Sequence, residues 1–275
     1  MEYYKLLDLK KEPFSTSPDP VFFYESYEHK ECLNRLEISI RLRRGLSVIL
    51  GEVGTGKTTV SRMLIKRFAK EKNNFIIRII LDPTFRSEYE FIKNLCNSFG
   101  IDTASRSTFE FKNDLENYLL QKGVKEKKAV VLLIDEGQKL SPTYIEVLRT
   151  LLNYETNEYK LLQLVIFAQH EFLHKMKRQP NFLDRVSMGY NLNPLNEKDT
   201  TGMINFRLKA AGLNSNRILF TDRAAKLIYS HTQGFPRKIS RFCHDALIAM
   251  LRDNKKVVDE KFVLDMVRKE VNWNV

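Results

Sequence analysis

The sequence predicts an α/β fold in which a parallel β-sheet is flanked by helices and followed by a small helical domain. Short apolar, β-branched runs alternate with amphipathic stretches over the first two thirds of the chain, a pattern typical of parallel strands linked by helices. From residue 194 onward only helical patterns occur. We therefore predict three regions: an N-terminal arm and helix over 1–45, an α/β core over 46–193 and a helical lid domain over 194–275.

Composition permits a folded protein and limits its class. The chain has 275 residues, of which 43% are apolar, and three scattered cysteines without metal-ligand spacing. We predict reduced, buried thiols in a cytoplasmic protein. No apolar run approaches the roughly 18–20 residues of a membrane span, and the N-terminus lacks a signal-peptide pattern. The net charge of +11 would attract nucleic acid, anionic lipid or an acidic partner, or it serves solubility alone.

The N-terminal segment is rich in aromatic residues and prolines. Three prolines between positions 13 and 20 predict that no helix forms there, so we expect an extended arm pinned by its aromatic side chains. A helix over 29–44 follows, with Leu33, Leu36 and Ile40 on one face.

The next segment carries the strongest motif of the sequence. The apolar run over 46–50 predicts a buried strand, and the stretch over 57–71 predicts an amphipathic helix. Between them the chain reads G-x-x-x-x-G-K-T, which in this strand-to-helix context predicts a P-loop. The residues predicted to contact ATP are Gly51, Glu52, Val53, Gly54, Thr55, Gly56, Lys57, Thr58 and Thr59.

Each residue type in this loop has a physical role. The glycines let backbone N–H groups approach phosphate oxygens without a Cβ in the way. The positive end of the following helix points at the same anion. Lys57 adds a mobile charge for the β- and γ-phosphates, and the Thr58 hydroxyl is suited to bind Mg²⁺.

The N-terminal arm over residues 1–28 has two possible roles in such a protein. It either packs over the core or covers the adenine ring, and we favour a mixture of both.

A second motif closes a wholly apolar strand over 129–134. Asp135 and Glu136 follow that strand directly, which is the Walker B pattern. Parallel sheets bind ligands at the carboxyl ends of their strands. We predict that Asp135 holds Mg²⁺ and that Glu136 orients and deprotonates the water that attacks the γ-phosphate.

The remaining elements are predicted from periodicity and capping residues. Strands are predicted over 75–80, 161–168 and 187–192, and helices over 85–99, 108–121, 142–153, 199–211, 222–231, 237–253 and 259–271. Gln169 follows the strand over 161–168 and is positioned to touch the γ-phosphate or its water. The segment over 176–185 is basic.

Taken together, the chain resembles an AAA+ ATPase, and more closely the ATPase domain of the general secretion pathway A family. That family includes the ExeA-type ATPases of type II secretion and the ATPases of mannose-sensitive-haemagglutinin pili. The residues that carry the resemblance are Glu12-Pro13-Phe14-Ser15, Pro18-Asp19-Pro20-x-Phe22-Phe23-Tyr24, His29, the P-loop, Ile134-Asp135-Glu136-Gly137-Gln138, Gln169, Arg185, Asn193-Pro194-Leu195 and Gly234-Phe235-Pro236-Arg237-Lys238-Ile239.

The resemblance implies roles for three further residues. Gln169 would be sensor 1, and Arg237 would be sensor 2, reaching from the lid to the phosphates. Arg185 would be the arginine finger that completes a neighbouring subunit's site, with Arg178 as the competing candidate. A finger in trans implies self-association into a ring or a filament of head-to-tail contacts.

The biological process stays open between two readings. The first is an assembly motor of a type II secretion or pilus-like machine, cytoplasmic and held at the inner membrane by a partner. Secretion members commonly continue into a membrane span, and this sequence ends after the lid, so we expect anchoring to come from that partner. The second is a regulator of DNA transposition that binds duplex DNA with ATP and acts with a transposase. A non-hydrolysing switch is a third class, disfavoured by intact Lys57, Asp135 and Glu136.

Overall fold

The computed structural model describes residues 2–15, 19–101, 107–214 and 217–271. It divides into two compact units. The arm–lid unit comprises Met1–Lys30, Gly54–Thr59 and Asn193–Val275, and the sheet unit comprises Glu31–Val53 and Val60–Leu192.

The sheet unit is built on five parallel strands in the order β2-β3-β4-β1-β5. The strands are β1 (Leu46–Leu50), β2 (Phe75–Ile80), β3 (Ala129–Ile134), β4 (Leu162–Ala168) and β5 (Val186–Asn191). Every residue of the three central strands is buried, while the edge strand β5 alternates half-buried and exposed positions. Helices on both faces explain why the central strands are continuously apolar.

The register of the sheet aligns the carboxyl ends of β1, β3 and β4. Leu50 pairs with Ala168, and Ile134 pairs with Ile166. The N–H of Gly51 then donates to the carbonyl of Ala168 at 3.1 Å. Gly51, Asp135 and Gln169 therefore all lie just beyond the carboxyl ends of neighbouring strands.

Eleven α-helices occur in the described ranges. They are α1 (Tyr27–Arg41), α2 (Lys57–Phe68), α3 (Glu88–Phe99), α4 (Thr108–Leu120), α5 (Pro142–Leu151), α6 (Glu171–Lys177), α7 (Pro180–Leu183), α8 (Glu197–Ala210), α9 (Asp222–Thr232), α10 (Pro236–Arg252) and α11 (Glu260–Val271).

Helix ends differ from the predicted bounds where caps decide them. α3 begins three residues later than predicted, because the Ser87 hydroxyl accepts from the N–H of Glu90 and caps the helix there. α1 ends before the predicted residue 44, because Arg43 takes a left-handed φ of 50°.

The arm–lid unit packs helices α8 to α11 with the N-terminal arm around its own core. Phe14 and Phe22 of the arm are buried in that core. The expectation of an extended arm was wrong in two places, because Tyr3–Leu7 forms a short 3₁₀ helix and Pro20–Phe22 forms a single 3₁₀ turn. Pro20 starts the second turn, where a missing N–H is tolerated. Ser17 and Pro18 of the predicted arm lie outside the described residues.

The cysteines Cys32, Cys96 and Cys243 are buried and free, as predicted. Among the described residues, no helix combines the length and the apolar character that crossing a membrane requires.

Candidate functional site

The loop from Gly51 to Thr59 leads directly into α2, which begins at Lys57. Thr55 is fully buried and the Lys57 side chain is nearly so, at 8% exposure. Gly54 and Gly56 have φ values of +87° and +104°, which residues with a Cβ rarely adopt. The glycines of the motif are thus used for backbone conformation, and the start of α2 provides N–H donors and positive dipole for an anion.

Arg237 lies against this loop in the arm–lid unit. Its backbone N–H is 3.4 Å from the carbonyl oxygen of Gly54, and a Cβ built on Gly54 would lie 3.1 Å from the Arg237 Cβ. Arg237 as a whole is exposed. Gly234, three residues earlier, has a φ of +74°, and a Cβ there would lie 1.9 Å from the Leu195 carbonyl oxygen, so this position before α10 requires glycine.

A mostly apolar cavity adjoins the loop within the same unit. Its lining residues are Asp19, Phe22, Phe23, Tyr24, His29, Gly56, Thr59, Leu195, Met203, Arg207 and Pro236. The cavity is small, with a volume of about 50 Å³, so its aromatic residues provide a surface beside the loop rather than a formed ring pocket. The arm therefore contributes both to the core, through Phe14, and to this cavity, through the run over 22–24.

His29 joins the arm to the loop. Its side chain is 3% exposed, its Nε2 is 3.1 Å from the Thr55 carbonyl oxygen, and its Nδ1 is 2.6 Å from Ser26 Oγ. Burial lowers the pKa of His29, although the Thr55 carbonyl and the charges of Asp199 and Glu25 act in the opposite direction. The imidazole is therefore neutral at physiological pH.

Arg207 of α8 fixes the arm to the lid. Its guanidinium donates to the carbonyl oxygens of Phe22 at 3.2 Å and Ser15 at 3.2 Å, and to Ser240 Oγ at 3.0 Å. Burial lowers the pKa of Arg207 to about 10. A half-buried cation that is bonded to several neutral acceptors stabilises one arm conformation.

In the sheet unit, the Walker B residues lie at the carboxyl end of β3. Asp135 is 3% exposed, and its Oδ1 accepts from the N–H of Glu136 at 3.0 Å. Glu136 is half-buried and has a left-handed φ of 54°. Such a conformation is unusual for a residue with a Cβ and is frequent at functional sites.

Gln138 connects the ends of β3 and β4. Its side-chain amide donates to Glu136 Oε2 at 2.5 Å, and its Oε1 accepts from the N–H of Gln169 at 3.1 Å. Lys175 of α6 donates to the Gln138 carbonyl oxygen at 2.5 Å. The side-chain amide of Gln138 therefore contacts both Glu136 and Gln169. These are the two residues predicted to act on the attacking water.

Arg185 lies at the amino-terminal ends of the strands, opposite to the end at which Gly51, Asp135 and Gln169 lie. Leu46 pairs with Val186, so Arg185 adjoins the amino end of β1, whereas Gly51 follows its carboxyl end. At about 3.3 Å per residue, the five-residue strand separates the two by about 16 Å. The Arg185 Nε is buried without a hydrogen-bond partner among the residues that the structure describes. Arg178, the competing finger, is exposed at the end of α6.

Comparison with known proteins gives the family. A model described as an AAA domain matches residues 40–176. General secretion pathway protein A of Aeromonas hydrophila is 36% identical over 260 residues, which cover 93% of this chain and 46% of that relative. This chain belongs to the AAA+ family. The predicted resemblance to general secretion pathway A proteins is confirmed, and this AAA+ chain spans about half of that relative's length.

Solved structures support the same fold for the AAA+ chain. The ORC2 protein of Aeropyrum pernix, in ADPNP–ADP complexes, matches with a TM-score of 0.68 at 15% identity, over 94% of this chain and 71% of that one. Cdc6p of Pyrobaculum aerophilum matches with a TM-score of 0.63 at 19% identity, over 90% and 67%. At these identities the likeness shows the fold, so the predicted α/β fold with a helical lid is confirmed.

Sequence reasoning assigned no role to Gln138, His29 or Arg207 of this AAA+ chain. Gln138 and His29 appear only as part of the family resemblance. Arg207 carried a readable signal, since it lies four residues after buried Met203 and next to buried Leu208. A basic residue beside such a buried face of a helix indicates a partner for its charge.

Proposed function

We propose that this AAA+ chain binds ATP with Mg²⁺ and hydrolyses it. The observation that supports this best is the loop from Gly51 to Thr59, in which two glycines with left-handed φ precede a helix that starts at a nearly buried Lys57. Oriented N–H groups, a helix dipole and a lysine together favour a polyphosphate. We place the adenine ring beside the loop, next to the aromatic run of Phe22, Phe23 and Tyr24.

The proposed metal ligands are the Thr58 hydroxyl and the Asp135 carboxylate. Both are hard oxygen donors, the kind that Mg²⁺ prefers, and Mg²⁺ usually takes only one or two protein ligands beside phosphate and water. The described residues contain no group of three or more His, Cys, Asp or Glu side chains that could hold a metal ion. When bound, Mg²⁺ neutralises charge on the β- and γ-phosphates.

The proposed chemistry is in-line attack of water on the γ-phosphate. Glu136 accepts a proton from that water, and Gln169 orients it as sensor 1. Arg237 stabilises the phosphate charge as sensor 2; its backbone contact with Gly54 and the exposure of the residue are compatible with that role. Donors aimed at developing charge are the main source of catalysis in phosphoryl transfer.

The proposed assembly is a ring or filament in which Arg185 acts on a neighbouring subunit. Two observations support this. Arg185 and Gly51 lie at opposite ends of the parallel strands. The Arg185 Nε lacks a hydrogen-bond partner among the described residues. A guanidinium that enters a neighbour's site would find its anion there.

The proposed process is assembly of a type II secretion or pilus-like machine, with the protein in the cytoplasm and held at the inner membrane by a secretion or pilus component. The 36% identity to general secretion pathway protein A supports this reading. The alternative is ATP-dependent binding of duplex DNA with a transposase, which the net charge of +11 favours.

The first experiment tests nucleotide binding and hydrolysis. Lys57→Ala should weaken ATP binding by about tenfold to one hundredfold, as loss of a charge-assisted phosphate contact predicts. Glu136→Gln should retain ATP binding and lower turnover by about 10² to 10⁴. The controls are Lys66→Ala, exposed on the same helix, and Glu158→Gln, exposed in a loop; both should match wild type. Wild-type affinity in Lys57→Ala would reject the P-loop assignment.

A second experiment separates the two processes. Filter binding to duplex DNA, with and without ATP, is measured across a salt series. The transposition reading predicts ATP-dependent binding whose log affinity falls steeply with log salt. Absence of such binding at low salt would remove that reading and favour the secretion one.

A further inference from the structure

The geometry around His29 determines which ring nitrogen carries the proton. A carbonyl oxygen can only accept, so the 3.1 Å contact between Nε2 and the Thr55 carbonyl oxygen requires a proton on Nε2. In the neutral ring Nδ1 is then an acceptor, and the Ser26 hydroxyl donates to it at 2.6 Å. Both nitrogens are thereby satisfied in a side chain that is 3% exposed.

The ring also occupies the space beside Gly56. A Cβ built on Gly56 would lie 2.6 Å from His29 Nε2. Phe23, which lines the cavity, packs edge-on against the imidazole with centroids 5.4 Å apart. His29 is therefore held by the arm on one side and contacts the loop backbone on the other.

The orientation of one peptide follows from this contact. The Thr55 carbonyl and the Gly56 N–H belong to the same planar trans peptide, so they point in opposite directions. Because the carbonyl points at His29, the Gly56 N–H points away from it. The backbone of Gly56 itself allows either orientation of this peptide at little cost, since glycine tolerates both signs of φ.

We propose that His29 is a positioning residue that locks the Thr55–Gly56 peptide, so that the Gly56 N–H is presented to the nucleotide phosphates. The proposal rests on the proposed function, because it concerns the same phosphate loop. A loop in which this peptide can flip would replace a donor with a carbonyl oxygen at the anion. The neutral imidazole acts only through its hydrogen bond and contributes no charge to the phosphates.

The test compares ligands with and without phosphate. Affinities for ADP and for adenosine are measured by competition against a fluorescent ADP analogue. His29→Leu removes the donor; we expect ADP affinity to fall by about tenfold to one hundredfold, the value of a hydrogen bond to a charged group, with adenosine affinity within about twofold of wild type. His29→Gln keeps an N–H donor at similar reach and should restore most of the ADP affinity.

Two further variants keep the test decisive. If His29→Leu does not fold, as judged by circular dichroism, His29→Asn replaces it, since its shorter amide can serve Ser26 and cannot reach Thr55; the same ADP-selective loss is expected. Ser26→Ala leaves the Nε2 contact intact and should keep ADP affinity within about threefold.

Several outcomes would overturn the inference. Equal losses of ADP and adenosine affinity would assign His29 to the ring cavity. A glutamine variant as weak as the leucine variant, or unchanged ADP binding in both, would show that the hydrogen bond is not the cause. Failure of the proposed function is distinguishable, because it appears in the wild-type chain as ADP binding that is absent or independent of Lys57; the inference then fails with it.

Discussion

The side-chain amide of Gln138 donates a hydrogen bond to the carboxylate of Glu136 over 2.5 Å. The same amide accepts from the backbone N–H of Gln169. One side chain therefore fixes the relative positions of the proposed base and the proposed sensor 1. Because Glu136 has a left-handed backbone, its carboxylate direction depends on such support.

The first prediction concerns this bond. Gln138→Leu should lower the turnover number for ATP by about tenfold, since a misplaced general base loses part of its contribution. The dissociation constant for ATP should change less than about twofold, because the hydrogen bonds of Gln138 go to Glu136, Gln169 and Lys175, none of which belongs to the proposed phosphate loop. Steady-state kinetics and ATP titration measure the two quantities.

Gln121→Leu is the matched control, because Gln121 is an exposed glutamine in the same unit; its kinetics should equal wild type. Unchanged turnover in Gln138→Leu would mean that the amide does not orient Glu136. A large loss of ATP affinity would instead assign Gln138 to nucleotide binding.

The second prediction tests the finger in trans. Arg185→Ala and Glu136→Gln should each lower turnover strongly, by about 10³ or more for a finger. Mixed in equal amounts, the two variants should regain activity, because an intact Glu136 in one subunit meets an intact Arg185 from its neighbour. Turnover of the mixture, compared with the sum of the separate variants, is the measurement.

Arg178→Ala is the discriminating variant, since Arg178 is exposed and lies seven residues before Arg185. The Arg178→Ala variant should retain turnover. Mixing it with Glu136→Gln should therefore give no more activity than the sum of the two separate proteins. If Arg178→Ala complements Glu136→Gln and Arg185→Ala retains turnover, the finger is Arg178.

The sheet could be predicted from the sequence because its signals are local. Central strands carry continuous apolar runs, and the P-loop is a contiguous pattern whose glycines need left-handed backbone. The predicted strand over 75–80 has the bounds that β2 has in the structure. Walker B was predictable for the same reason, since Asp135 and Glu136 close an apolar strand.

The supporting contacts could not be predicted, because their partners are distant in the chain. The His29–Thr55 contact spans 26 positions and the Arg207–Phe22 contact spans 185. Periodicity indicates which face of α8 is buried, but it does not indicate which carbonyl meets the guanidinium. The 3₁₀ turn at Pro20 was missed because three prolines exclude an α-helix but permit a single turn that begins with proline.

The third prediction follows from the lowered pKa of His29. The unfolded chain binds a proton near the ordinary pKa of about 6.5, whereas the folded chain does so only at lower pH. The unfolded state thus holds more protons in this window, so the free energy of unfolding falls as pH decreases below about 6.5. Urea unfolding between pH 7.5 and 5 measures this dependence.

His29→Gln isolates the contribution of His29, because the chain contains four other histidines. The wild-type chain should lose more stability than the glutamine variant between pH 7 and 5. Parallel curves for the two proteins would mean that the folded and unfolded pKa values of His29 are equal.

The fourth prediction concerns the half-buried guanidinium of Arg207, which holds the arm. Arg207→Met keeps the length of the stem and removes the donors to Phe22, Ser15 and Ser240, leaving buried acceptors without partners. We expect the free energy of unfolding to fall by about 2–4 kcal/mol, since unsatisfied buried polar groups cost about 1–3 kcal/mol each and partial relaxation recovers some of that. Limited proteolysis should also cut the arm faster in the variant, because Pro13 to Phe22 loses its anchor on α8.

Lys209→Met is the control for that loss, because it removes an exposed cation from the same helix and should shift stability by less than about 0.5 kcal/mol. Arg207→Lys separates charge from geometry: a single ammonium cannot reach all the acceptors that the planar guanidinium bonds, so we expect most of the loss to persist. If the lysine variant were as stable as wild type, burial of a positive charge, rather than the fork of donors, would explain the arm's position. If Arg207→Met left both unfolding and proteolysis unchanged, the arm would be held by Phe14 and Phe22 alone.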